Sequence, residues 1–247
     1  MKRRMFTKAI LLGSIATTLS SALYASILET QISQDELLGK GNPLLTSGTG
    51  YRLRPEAATA FERLKTAALQ DKIQVKVISS YRDYAHQNRI WERKYNRFRE
   101  SGLSPTDSIK KIIEYSTIPG TSRHHWGTDI DLIDGTPKVT GDVLVPSKFY
   151  GTGPFCKFKE WMDKHANSFG FYLVYTDTLG RKGFKHEPWH YSYAPLSIPY
   201  LKKYKELDIK TRLQENKLLG SAHLTTPFIN SYIKENILDI NPYLLKD

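Results

Sequence analysis

The stretch "GFKHEPWHYSY", residues 183–193, decides the fold because it has two incompatible readings. As a helix it would carry His186, Glu187 and His190 as H-E-x-x-H, with two imidazoles one turn apart on one face, the signature of a helical zinc protease site. Pro188 argues against the helix, since between the histidines it would remove a backbone donor and clash with the preceding turn. Phe184, Trp189, Tyr191 and Tyr193 favour a strand instead. In an extended chain four residues cover about 13 Å at roughly 3.3 Å each, while a zinc–nitrogen bond is only about 2 Å. His186 and His190 could then share an ion only by straining toward each other, so one of them must do something else. Strict strand alternation would also put Glu187 and His190 on opposite faces, so a bend near Pro188 is needed to bring them to one place.

A second histidine-rich stretch, "PGTSRHHWGTDIDL" at 119–132, supplies other donors. Ser122, His124, Gly127 and Asp131 are spaced S-x-H-x-x-G-x-x-x-D, and Gly127 lets the chain turn between His124 and a strand that presents Asp131. A histidine, an aspartate and a histidine from 183–193 would give three ligands and one open position, which is what a catalytic zinc needs.

The two motifs in this order, S-x-H-x(6)-D and then E-P-W-H, resemble the VanY-type D-alanyl-D-alanine carboxypeptidases, in the zinc metallopeptidase superfamily that also holds lysostaphin and the hedgehog signalling domain. The resemblance runs from roughly Gly50 to Tyr193. It implies an α+β fold, a small antiparallel sheet flanked by helices, with Zn2+ as cofactor held by His124, Asp131 and His190 and with Glu187 as catalytic base. "SSYRD" and the following "HQ" look like the family's upstream segment, implying Arg82 in catalysis and substrate binding, Gln87 in substrate binding, and Ser122 facing substrate. The chain departs from the family at Asp129, where a small residue is usual. On a strand Asp129 points to the same side as Asp131; the family spacing favours Asp131 as the ligand and leaves Asp129 behind it or facing substrate. His125 and His186 are surplus to a three-ligand site, and His86, His165 and His223 read as ordinary histidines. Trp126 and Trp189 flank the ligands as packing or as a substrate platform.

The whole chain of 247 residues, 40% apolar, suffices for one well-buried domain. A basic start (Lys2, Arg3, Arg4, Lys8) and an apolar run interrupted by Gly13, Ser14 and Thr17 read as an export signal over 1–25 rather than a membrane anchor. "RRMFTK" resembles the twin-arginine pattern. A linker is expected at 26–49, the catalytic domain at 50–195 and a helical extension at 196–247. Four of the positive charges behind the net +11 fall in the signal, leaving about +7. With export, that balance favours an anionic envelope polymer over nucleic acid. The lone Cys156 cannot form an internal disulfide and reads as a small core residue.

Helices are expected over 55–70, with Ala58, Phe61, Leu64, Ala68 and Leu69 on one face, over 83–100 behind an acidic cap, over 104–116 and over 153–170. Strands are expected at 73–80 and 126–134, and a hairpin joins 171–176 to 184–193. The function that follows is a monomeric zinc D,D-carboxypeptidase of the periplasm or cell envelope, acting on peptidoglycan stem peptides and touching a membrane only through an uncleaved signal. An L,D-carboxypeptidase or an endopeptidase would use the same site. A non-catalytic envelope-binding protein would have no need of Glu187.

Overall fold

A computed structural model of the chain describes residues 32–215 and 217–246. The expected export signal lies outside the described residues, as does the linker up to residue 31. Gln34–Asp247 forms one compact unit. Folded structure therefore begins inside the expected linker, with α1 (Gln34–Leu37) and β1 (Thr46–Gly48), the latter paired antiparallel with β2 (Tyr51–Leu53). What holds this segment is its few apolar and charged side chains. Leu37 and Leu38 are buried, the Leu37 carbonyl accepts the Trp126 indole N–H at 3.2 Å, and Glu36 pairs with Arg54 at 3.5 Å.

Four antiparallel strands form the main sheet in the order β3-β4-β6-β5: β3 (Val75–Ser79), β4 (Asp129–Asp134), β6 (His190–Tyr193) and β5 (Phe171–Leu173). Against it packs α2 (Pro55–Gln70), opened by proline at its first turn, where the missing N–H costs nothing. Ala58, Phe61, Leu64 and Ala68 of α2 join Ile130 and Leu132 of β4 and Phe171 of β5 in one core. Burial of a side chain such as Phe61 or Leu64 contributes about 1.5–3 kcal/mol. Leu69, expected on that face, is 65% exposed. It lies about 100° around the helix from Ala68, beyond the buried stripe.

α3 (Tyr84–Glu100) starts where Asp83 accepts the His86 N–H at 2.6 Å, and α4 (Pro105–Ile112) is capped by Ser104. α5 (Cys156–His165) gives Phe158, Trp161 and Met162 to the core. Cys156 is not a core residue: it is half-buried at the start of α5, with its thiol 3.4 Å from Glu160. The reason is its place in the first turn, on the side of Glu160 rather than of Phe158.

One further expectation needs correcting. The hairpin strand expected over 184–193 shrinks to β6, because Lys185 N–H goes to Glu114 O, outside the hairpin, and the His190 N–H bonds back to Glu187 O in a turn that breaks the ladder. The C-terminal stretch forms α6 (Ala194–Lys205), α7 (Ile209–Glu215) and α8 (Thr226–Tyr232) and packs on the rest of the unit. The Tyr204 hydroxyl donates to Gly120 O at 2.8 Å, the Tyr232 hydroxyl accepts the Ile118 N–H at 3.1 Å, and Leu219 O accepts the Trp91 indole at 3.0 Å. They hold the turn that leads into His124. No helix among the described residues is long and apolar enough to cross a membrane.

Candidate active site

Strand register creates the site. Asp131 on β4 and His190 on β6 are direct cross-strand partners, and Ser79 of β3 lies opposite Asp131 on the other side. His124 comes from the 3-10 turn Arg123–Trp126, which ends at Gly127 with φ +69°. A Cβ there would also lie 2.8 Å from Leu45, so both the conformation and the space call for glycine. One ligand atom each from His124, Asp131 and His190 falls within a 4.8 Å cluster, and all three residues are buried.

The segment 187–190 resolves the opening ambiguity. His190 N–H bonds back to Glu187 O at 3.1 Å, making a four-residue turn with Pro188 at its second position, where a fixed φ of about −65° suits a turn. This turn supplies the expected bend and sets Glu187 Oε2 3.1 Å from His190 Nδ1. His186 points elsewhere, with Nδ1 2.7 Å from Tyr175 O and Nε2 2.5 Å from the Tyr150 hydroxyl. It is not in the ligand cluster.

Hydrogen bonds assign the ring nitrogens. His124 Nδ1–H donates to Ser80 O at 2.8 Å, which leaves the buried Nε2 without a hydrogen-bond partner, 3.4 Å from Asp131 Oδ2. Asp131 Oδ1 is likewise buried and unpartnered. His190 Nε2–H donates to Asp129 Oδ1 at 3.1 Å, turning Nδ1 toward Glu187 and to 3.7 Å from Asp131 Oδ1. Separations of 3.4 and 3.7 Å are near the ligand–ligand edge of about 3.3 Å that tetrahedral bonds of about 2 Å would give. Two imidazoles with their second nitrogens held by an oxygen, and one carboxylate, are the donor set of an open zinc site, so the residues fit the ion.

The charges are strongly coupled. Burial pushes His190 down, but Asp129, Glu187 and Asp131 outweigh it and raise its pKa to about 9. Binding of an ion through Nδ1 would displace that proton. Burial alone would raise Asp129, yet the Arg123 guanidinium, 2.8 Å away, and His190 hold it well below the usual carboxylate range. Burial raises Glu187 above the ordinary glutamate value in spite of His190, which suits a carboxylate that takes up and returns a proton.

Asp129 faces the same side as Asp131, as strand alternation requires, but it stands behind His190. Its oxygens accept from Arg123, Thr128, Ser192 (3.0 Å) and His190, so it is fully occupied as an orienting anion. His125 is also structural: Nδ1–H donates to Arg82 O at 2.6 Å and Nε2 accepts the Gly120 N–H at 3.2 Å. Gly39 packs so close to this ring that a Cβ would come within 2.4 Å of it. The neighbouring letters "HH" gave no means of seeing this division of labour.

Arg82 and Ser122 line a cleft of about 660 Å3 that opens over the cluster. Arg82 Nε and Ser122 Oγ are both buried without a hydrogen-bond partner among the described residues. Gln87 does not line it: wholly buried, its amide donates to Thr117 O at 2.9 Å. An inward-facing residue in the first turn of α3 meets the backbone of Thr117, which itself lines the cleft, so Gln87 stands behind that wall. Trp126 is packing, with Arg123 over its ring at 4.7 Å, whereas the buried Trp189 packs on Phe149 and also borders the cleft. His86, His165 and His223 stand outside the cluster.

The model of the VanY D-alanyl-D-alanine carboxypeptidase family matches residues 50–196. The chain belongs to this family. A curated relative, a D-alanyl-D-alanine carboxypeptidase of Enterococcus faecalis, is 26% identical over 147 residues, 59% of this chain and 49% of the relative. The chain spans less than two thirds of the length of each curated relative it matches. Among solved structures, VanYB in complex with D-alanine-D-alanine aligns with TM-score 0.52 at 22% identity, covering 72% of this chain and 92% of that one. A mutant of the VanY D,D-pentapeptidase in complex with Zn(II) aligns with TM-score 0.51 at 22% identity, covering 74% and 90%. The α+β architecture expected from the motifs is thus the VanY fold.

Proposed function

We propose that the protein is an exported zinc carboxypeptidase that removes the terminal D-alanine from peptidoglycan stem peptides in the periplasm or cell envelope. The observation that carries this reading is the meeting of His124, Asp131 and His190 with Glu187 at the floor of a cleft that also presents Arg82. Family membership and the two fold neighbours, one bound to Zn(II) and one to D-alanine-D-alanine, support it.

His124 through Nε2, His190 through Nδ1 and the Asp131 carboxylate would hold the zinc. The chemistry it supplies when bound is Lewis acidity, which lowers a water's pKa toward about 7 and polarises a carbonyl. Glu187, beside His190 Nδ1, accepts the proton of the attacking water and passes it to the leaving amine. Arg82, with its unpartnered buried Nε, offers a fixed cation for a substrate carboxylate or for charge developing on the carbonyl oxygen. His125 keeps Arg82 in place through its backbone. Ser122 presents a buried hydroxyl with hydrogen-bonding capacity to spare.

The test is incubation of the purified protein with stem pentapeptide and with whole peptidoglycan, with and without a chelator, followed by mass spectrometry. Loss of one D-alanine that a chelator abolishes is the expected result. Release of a different fragment would assign an L,D-carboxypeptidase or endopeptidase in its place, and no release would defeat the reading.

A further inference from the structure

One wall of the cleft is α3, and the side chains it offers there are Arg93, Lys94 and Arg97, beside Ile90 and Phe98. Arg93 and Arg97 are four residues apart, so like charges share one helix face, an arrangement that costs a few tenths of a kcal/mol on an isolated helix. Lys94 is half-buried, and its withdrawal from water pulls its pKa down, with Glu187 the foremost of the charges opposing that pull. None of the three has a carboxylate in ion-pair contact among the described residues, while nearby Lys111 and Lys185 are both tied to Glu114. Asp142, on the wall across the cleft, uses its carboxylate on the Leu144 N–H. A cationic row that crowds its own kind and half-buries a lysine recovers that cost when an anion seats on it.

We infer that Arg93, Lys94 and Arg97 form a second anion site, which receives a side-chain carboxylate on the acyl part of the peptide, so that the enzyme selects stem peptides whose third residue is a diamino diacid over those with a diamino monoacid. This rests on the carboxypeptidase reading, and it adds a specificity that the ligands, Glu187 and Arg82 do not supply, because they act on the scissile end. The carboxylate in question is the one chemical difference between diaminopimelate and lysine at that position.

The experiment uses the zinc-loaded full chain and three pentapeptides that differ only at the third residue: diaminopimelate, its side-chain amide, and lysine. The parent is expected to show kcat/KM about tenfold higher for the diacid than for lysine or the amide. That ratio should shrink in high salt and fall to near one in Arg93→Gln combined with Lys94→Gln, a change on the cleft wall that touches none of the buried apolar core. Equal rates for the three peptides, or a preference that survives both substitutions, would overturn the inference. A second arm separates it from the reading beneath it: calorimetry of the corresponding tripeptides, which need no cleavage, on the same protein. If no pentapeptide is cleaved, the carboxypeptidase reading fails, and the second site stands or falls on whether the diacid tripeptide binds about tenfold better than the lysine one.

Discussion

On the sheet side of the cleft, Asp131 and His190 face each other across β4 and β6, and His124, His190 and Asp129 each have a partner that leaves one orientation open. On the helix side, Arg93, Lys94 and Arg97 stand on α3 with no ion pair among the described residues, and Arg97 lies over the Phe98 ring at 4.8 Å. The contrast teaches where precision is needed. A metal and a proton-transfer group must be placed to within fractions of an ångström, so their supports are buried, charged and reciprocal. A carboxylate at the far end of a peptide is met well enough by flexible cations, whose contribution is long-ranged and salt-sensitive.

Substitutions on the sheet side should therefore have large effects. Glu187→Gln is expected to lower kcat by about 10²–10⁴ while zinc content stays at one per chain. Single-turnover rates paired with metal analysis would check this, and undiminished turnover would remove Glu187 from the chemistry. Asp129→Ala leaves the Arg123 guanidinium buried and unpaired, and losing one partner of such a pair costs about 3–5 kcal/mol. Urea denaturation of the metal-free protein measures it, and a loss below about 1 kcal/mol would mean that water reaches Arg123. Asp129→Asn keeps the shape but weakens the hold on His190 Nε2, so zinc affinity should fall about 10–100-fold by chelator competition. His186→Ala gives the smallest effect. Zinc affinity should be unchanged, because that ring bonds to Tyr150 and Tyr175 away from the cluster, and a drop in affinity would reopen the H-E-x-x-H reading.

Much of the sheet side was legible as letters. Pro188 with its aromatic neighbours excludes the helix, and the spacing of His124, Gly127 and Asp131 marks a turn feeding a strand; the structure has both. The role of Asp129 was visible only as an anomaly, since alternation says which side it faces but not that Arg123 and Ser192 wait there. Gln87 was misplaced because a residue near Arg82 in sequence points, one helical turn on, at Thr117. The elements within the expected linker and the contacts of the C-terminal extension were not legible for a common reason: short apolar clusters such as Leu37-Leu38 and lone residues such as Tyr204 and Tyr232 carry no period of their own. Their value lies in the partners they reach.

The sequence by itself determined the long helices α2 and α3 and the core of strands β3 and β4, because proline, glycine and the spacing of apolar residues act within a turn or a strand. It also determined which donors are able to hold a metal, since that is a matter of residue chemistry. Tertiary structure alone decided that Asp131 pairs with His190 across the sheet, that His125 bonds to the Arg82 backbone while His124 turns Nε2 toward Asp131, and that the basic side of α3 looks into the cleft. Each of those facts is a distance between residues far apart in the chain, set by strand register and by packing of the whole unit, and no local pattern encodes it.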